Sequence, residues 1–243
     1  MGDLVERYRK ARRDPELALL EGLHALKHAL RFGAVIEHVA TRDLAALLAL
    51  TARLAPDLAA PIAALAEPVA AFERLVPVPP ATGVVALARR PEIEVAAVLA
   101  ADAPAPVVLL EEPDDLGNIG AVVRVAAAAG AAAVLTTGRH DPWHPAALRG
   151  AAGLHFALPV ARVPALPASR RSLVALDPTG GPLRDLPAGA VLAFGSERAG
   201  LSADLRAAAR HRIAIPMRAG VSSLNLATAV AVMLYAGPGA RSL

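Results

Sequence analysis

Two kinds of apolar pattern alternate along this chain. Some stretches repeat every three or four residues, and others are short unbroken runs closed by proline, glycine or charge. The first kind predicts helices and the second predicts buried strands. After Pro15, apolar positions at Leu17, Leu20, Leu23, Leu26, Ala29 and Leu30 predict a helix. A strand is expected around Val35–Val39, alanine-rich helices between Asp43 and Ala71, and another strand over Gly83–Ala88. This first segment, about residues 14–95, has the alternation of a small α/β domain. A proline-rich seam, Ala100 to Pro106, should be extended and linker-like, because proline disfavours helix at itself and at the residue before it.

Beyond the seam the alternation is more regular. Apolar strands are predicted at Val107–Leu110, Ala131–Leu135, Leu173–Leu176, Val191–Phe194 and Ile213–Pro216. A helix is expected from about Asn118 to Ala129 with Gly130 as its C-cap, one capped by Ser202 and running to about Arg210, and a last one from Leu224 to Tyr235. The last helix carries no charge and should be buried almost all round. Short strands apolar on both faces, each followed by a helix, point to a mostly parallel sheet covered on both sides. The expected division is a domain over 1–100 and a second over 107–243.

Composition narrows the class. The chain has 243 residues, 55% of them hydrophobic, which suits a folded protein with a sizeable core rather than a disordered one. Much of the apolar content is alanine in amphipathic runs, so a membrane-spanning helix is not expected. Met1 to Arg13 lacks the apolar core of a signal peptide. Cysteine is absent, which excludes disulfides and thiolate metal sites and fits a reducing cytoplasm. Net charge is only +3, and nearly all the positive charge is arginine, a preference that either suits phosphate and base edges or reflects the base composition of the encoding genome. The basic run Arg7, Arg9, Lys10, Arg12 and Arg13 is either an RNA-phosphate contact or a solvated helix face.

The distinctive chemistry lies in three loops at the carboxyl ends of predicted strands, where open α/β sheets place ligands. The first is Asp115-Leu116-Gly117-Asn118-Ile119-Gly120, with Arg124 following on the same helix. Arginine among Val122, Val123, Val125 and Ala126 needs a partner if buried, and Glu111 or Glu112 would serve as an ion pair. The second is Phe194-Gly195-Ser196-Glu197-Arg198-Ala199-Gly200-Leu201. Its glycines permit close approach and positive φ, while Glu197 reads as a buried acid able to pair with Arg198 or Arg124 or to sit near a cationic ligand. The third joins Ile215-Pro216-Met217 to Ser222-Ser223-Leu224-Asn225, where N-capping accounts for one polar residue only.

In this order and spacing the three loops resemble the signature motifs of the SpoU (TrmH-like) branch of the SPOUT RNA methyltransferases, over almost all of the second segment. The first segment resembles the small L30e-like substrate-binding domain often fused ahead of it, especially in Glu21-Gly22-Leu23-His24-Ala25-Leu26 and Thr82-Gly83-Val84-Val85-Ala86. The resemblance implies an α/β fold with a SPOUT-type parallel sheet and a carboxyl-terminal trefoil knot. It also implies a homodimer, S-adenosylmethionine as methyl donor, no metal, and methylation of a ribose 2′-oxygen in rRNA or tRNA, rRNA being favoured. It assigns Asn118, Arg124, Glu197, Ser223 and Asn225 to catalysis, and Gly195, Gly200, Ile215, Met217 and Leu224 to the cofactor. For Arg124, orienting the RNA phosphate and polarising the 2′-oxygen is less demanding than acting as base, since guanidinium resists losing its proton.

Other features have plainer explanations. His140 and His144 are interrupted by Pro142 and Pro145, which argues against a helical metal pair. His140, Trp143 and Arg149 could instead line an RNA surface, and Arg139, Arg170 and Arg171 could either touch phosphates or form a solvated surface. His24 and His28 are expected on a helix face. Pro164 and Pro167 break the amphipathic helix that the family usually carries between Val160 and Leu173. The tail after Tyr235, through Gly237-Pro238-Gly239, shows no recognisable RNA-binding extension. The competing reading is a non-catalytic RNA-binding or ribosome-assembly module on the same scaffold. A nucleotide-dependent oxidoreductase is disfavoured, because no G-x-G-x-x-G follows the first strand of the second segment.

Overall fold

The structure, a computed structural model, describes residues 2–183 and 186–236, so the Gly237-Pro238-Gly239 tail lies outside the described residues. In chain order the elements are α1 (Gly2–Ala11), β1 (Leu17–Glu21), α2 (Leu23–Arg31), β2 (Ile36–Thr41), α3 (Leu44–Leu54), α4 (Ala59–Leu65), β3 (Ala66–Pro68), β4 (Val84–Arg89) and α5 (Val95–Ala100). There follow β5 (Val107–Leu110), α6 (Leu116–Ala128), β6 (Ala133–Thr136), α7 (Pro145–Gly150), β7 (Val160–Arg162), β8 (Leu173–Gly181), β9 (Val191–Phe194), α8 (Ala203–Ala208), β10 (His211–Ile213) and α9 (Leu226–Ala236). No helix among the described residues is long and apolar enough to cross a membrane.

The chain forms two compact units, Met1–Glu92 with Trp143–Ala157, and Ile93–Pro142 with Leu158–Leu243. This grouping differs from the expected split around residues 100 and 107, because segment 143–157 packs into the first unit. There Gly153 comes so close to α2 that an added Cβ would lie 2.5 Å from the Ala25 carbonyl. Arg149 pairs with Glu21, whose side chain is only 4% exposed. Trp143 is buried and packs against the tilted ring of His155 and edge-to-face against Phe156, at centroid distances of 5.0 and 5.2 Å. Trp143 is therefore engaged in this unit's own packing rather than forming a free RNA-facing surface, while Arg149, paired with Glu21, keeps 58% of its side chain exposed.

The first unit is built on a four-stranded sheet of order β1-β4-β2-β3, antiparallel except for the β2–β3 pair. The predicted helix over Leu17–Leu30 is here a strand and a helix. Gly22, at φ 95°, separates them, and the run Leu17-Ala18-Leu19-Leu20 pairs along β4. A short apolar run fits a buried strand as well as a helix, and the positive φ after Glu21 decides it. Four of the basic run's five side chains are ion-paired: Arg7 with Glu37 at 2.7 Å, Arg9 and Lys10 with Glu6 at 2.7 and 3.8 Å, and Arg12 with Glu21 at 3.5 Å. His24 and His28 lie on α2 as expected, and His28 Nδ1 is 2.7 Å from the Ala152 carbonyl oxygen.

The second unit carries a six-stranded, wholly parallel sheet of order β10-β8-β9-β5-β6-β7. Alternate residues of a strand face opposite sides. Val107, Leu109, Val191 and Ala193 share one core with Leu99 and Leu201, while α6 and α9 pack together with Ile119, Val122, Val230 and Met233 buried. α9 buries one side but leaves Thr228 and Tyr235 exposed, so it is not enclosed all round as its composition suggested. β10 begins and ends earlier than expected, at His211–Ile213, which leaves Pro216 in irregular chain. Residues 163–172 contain no helix, in keeping with Pro164 and Pro167. Arg171, taken as a phosphate contact, instead ties this loop to the seam. Its Nη1 donates to the carbonyls of Ala105 and Gly189 at 2.8 Å and of Ala103 at 3.4 Å.

Candidate active site

Four neighbouring parallel strands, β10-β8-β9-β5, deliver their carboxyl ends to one edge of the sheet. The first motif leaves β5, the second leaves β9 and the third follows β10, so one edge gathers all three. α6 starts at Leu116 because Asp115 caps it, its Oδ1 accepting the Asn118 amide at 2.7 Å. After β9 the backbone folds back on itself. Gly200 N donates to Ser196 O at 3.0 Å with Gly200 at φ +68°, and a Cβ on Gly195 would overlap the backbone of Gly200 and Leu201. Only glycine fits at 195, for want of space, and glycine is favoured at 200 by conformation.

Between these loops lies a cavity of about 390 Å³. All five residues expected at the cofactor, Gly195, Gly200, Ile215, Met217 and Leu224, line it, as do Glu197, Ser223 and Asn225 from the expected catalytic group. Asn118 stands beside it, bonded to two of those residues. Its Nδ2 donates to Glu197 Oε1 at 2.7 Å, and its Oδ1 accepts from Asn225 Nδ2 at 3.0 Å. Glu197 Oε2 accepts the Asp114 amide at 3.0 Å. The Oδ1 of Asn225 meanwhile caps α9 through the amides of Ala227 and Thr228 at 2.9 and 3.3 Å. Capping and the inter-loop bond thus use different ends of one side chain. Ser223 is exposed and takes no part in the cap.

Two expectations are corrected. Glu197 is exposed rather than buried, and its partners are amides, not Arg198 or Arg124. What burial it has pushes its carboxyl up, but the Asp114 and Asn118 bonds outweigh this and hold it below the ordinary glutamate value of 4.5. Arg124 points to solvent from α6 and has no hydrogen bond or ion pair among the described residues. The alternative of an ion pair with Glu111 or Glu112 is not formed among the described residues, and the Glu111 carboxylate instead accepts the Ser202 amide at 2.7 Å. An exposed guanidinium needs no buried partner, which removes the argument for the pair.

Sequence reasoning missed Leu176, Asp177 and Pro178, which also line the cavity. The predicted strand Leu173–Leu176 stopped one residue short of Asp177. A polar Asp-Pro-Thr-Gly-Gly stretch at the carboxyl end of a parallel strand was the available signal.

Residues 105–235, more than half of the chain, match the SpoU rRNA Methylase family. The chain belongs to that family. The uncharacterized tRNA/rRNA methyltransferase slr1673 of Synechocystis is 37% identical to this SpoU-family protein over 138 residues, covering 52% of this chain and 50% of that protein. The chain therefore spans about half the length of that relative. The 23S rRNA (guanosine(2553)-2′-O)-methyltransferase RlmP of Bacillus subtilis is 28% identical over 238 residues, 93% of this chain and 90% of RlmP. Among solved structures, the SpoU methyltransferase AviRb of Streptomyces viridochromogenes in complex with AdoMet superposes with a TM-score of 0.77 at 25% identity, covering 95% of each chain.

The Glu197 geometry makes a specific prediction. Its carboxyl should titrate below 4.5 in ¹³C NMR, and Asn118→Ala should raise the midpoint by removing a bond that favours the anion. Because the folded value is lowered, the stability that Glu197 contributes is present above 4.5 and is lost as pH falls through the folded midpoint. A midpoint unchanged by Asn118→Ala would show that the bond does not form in solution.

Proposed function

We propose that this SpoU-family protein transfers a methyl group from S-adenosylmethionine to the 2′-oxygen of a ribose in RNA, with rRNA the favoured substrate. The observation that carries the reading is the Asn118–Glu197–Asn225 network, which joins the three motifs beside a glycine-built cavity. The names of its relatives support it: RlmP is a 23S rRNA 2′-O-methyltransferase and AviRb was solved with AdoMet. An rRNA substrate also fits a cytoplasmic setting.

The cavity suits the cofactor in size, since about 390 Å³ lies within the roughly 300–1,000 Å³ of small-molecule sites. Backbone around Gly195 and Gly200, with Ile215, Met217 and Leu224, would hold the adenosyl part. S-adenosylmethionine, when bound, supplies a methyl group activated by the sulfonium charge. What remains for the chain is orientation and exclusion of water. Glu197, held ionised, fixes the Asn118 amide, and Asn225 fixes its carbonyl, so the wall beside the reacting ribose is rigid. The hydroxyl of Ser223, without a partner among the described residues, would bind the incoming ribose. Arg124, exposed and without a partner among the described residues, would hold an RNA phosphate and polarise the attacking oxygen. The first segment, expected over 1–100, would act as an L30e-like RNA-binding domain.

The same reading includes a carboxyl-terminal trefoil knot and a homodimer. Val221, Leu224 and Tyr235 support the dimer, being large apolar side chains left 48%, 40% and 52% exposed on the segment that carries the third motif and α9. Sedimentation should give a dimer, and a monomer independent of concentration would remove that element.

Methyl transfer from radiolabelled S-adenosylmethionine to total rRNA and tRNA tests the activity. Label should enter rRNA and appear in alkali-resistant dinucleotides, and Arg124→Ala should lower kcat by roughly 100-fold or more, as when one transition-state donor is removed. No labelling of either pool and no donor binding would favour the non-catalytic RNA-binding module.

A further inference from the structure

β8 parts from its neighbours where it reaches the cavity. It pairs with β9 only over Leu173–Ala175. Against β10, its pairing jumps from Ala175 to Gly181 while β10 advances one residue, from Arg212 to Ile213. Residues 176–180 therefore bulge outward, and Gly180 closes the bulge where an added Cβ would lie 2.5 Å from the Arg212 backbone. Bulges beside active sites re-aim side chains. Here the side chain concerned is Asp177.

Asp177 is 6% exposed, yet it lines the cavity with Leu176 and Pro178 on either side. Its Oδ1 accepts both the amide and the hydroxyl of Thr179, each at 2.8 Å. Those bonds, the backbone one foremost, hold its carboxyl below the usual aspartate range. Its Oδ2 has no hydrogen-bond or ion-pair partner among the described residues. That oxygen is not sealed in protein either, since it is absent from the fully buried polar atoms left unpaired. Arg206 and Arg212 share an adjoining cavity wall with Asp177 but form no ion pair with it. With Thr179, Arg212 and Arg206 all favouring the anion and its second oxygen open to the cavity, Asp177 is held as an ionised acceptor ready to take a donor from a ligand.

We propose that Asp177 is a cofactor-recognition residue whose Oδ2 accepts hydrogen bonds from the ribose hydroxyls of the bound adenosyl nucleoside. This rests on reading the cavity as the S-adenosylmethionine site. A carboxylate is acceptor-only, so its ligand must donate, and the adjacent hydroxyls of a ribose offer two donors to one oxygen or its neighbour. The sulfonium has no proton to give. The cavity's other carboxylate, Glu197, already has one oxygen on Asn118 and the other on Asp114, so the unclaimed acceptor is on Asp177. The Thr179 bonds make Thr179 a positioning residue, fixing the carboxylate before the ligand arrives.

Calorimetric affinities for S-adenosylhomocysteine, its 2′,3′-dideoxy analogue and 5′-methylthioadenosine test the assignment. Wild type should prefer the intact ribose by about 10- to 100-fold, as for one or two hydrogen bonds to a charged acceptor. Asp177→Ala should abolish that preference and weaken S-adenosylhomocysteine and methylthioadenosine by the same factor. Asp177→Asn keeps an oxygen for Thr179 and is close in shape, so it serves if the alanine variant fails to fold, and it should cut the preference roughly tenfold. A preference that survives in the Asn variant, or in a folded Ala variant, overturns the proposal. So does a loss confined to S-adenosylhomocysteine, which would place the ligand's amino group on Asp177. Wild type that binds none of the three probes would instead refute the cofactor reading of the cavity.

Discussion

The candidate site depends on one carboxylate. Glu197 accepts from Asn118, 79 residues away, and Asn118 in turn accepts from Asn225, 107 residues away, so loops remote in sequence are locked in a single arrangement. The carboxylate is effective because it stays ionised, and it stays ionised because the amides around it donate to it. Hydrogen bonds to a charged acceptor are stronger than neutral ones, but water screens an exposed joint, so the locking comes from several bonds converging on one carboxylate and one amide rather than from any single bond.

The sheet makes that joint possible. Parallel strands buried on both faces must be apolar throughout, so polar chemistry is displaced to their ends. β5, β9, β8 and β10 are adjacent and point the same way, and everything polar at their carboxyl ends converges. The close pass of Gly195 against Gly200 and Leu201 lets the second loop fold tightly enough to form a wall of the cavity. The bulge of β8 adds Asp177 from the next strand along.

Much of the second unit was legible in the sequence, because runs such as Val107–Leu110 and Val191–Phe194 are bounded by residues that end strands, and both strands lie where expected. Reading failed where one pattern served two structures: Leu17 to Leu20 has helical spacing and is also an unbroken apolar run, and only the backbone at Gly22 separates the cases. The glycines and polar residues of the site were legible as types at strand ends. Their partners were not, since nothing local says that Asn118 meets Glu197 rather than Arg124. Likewise, nothing in the apolar context of Arg124 reveals that its own position on α6 faces water. Asp177 was missed because a bulge is a relation between two strands and leaves little trace in either one.

The central claim is that the three loops act as one unit through Asn118. The most direct test is a double-mutant cycle on kcat/KM for methyl transfer, using Asn118→Ala and Asn225→Ser, since serine can still cap α9. Removing either partner should break the joint, so the double variant should be little worse than the poorer single one, with a coupling of about 1 kcal/mol or more. Effects that add within about 0.5 kcal/mol would mean that the two residues act independently, and the account of a single locked site would be wrong.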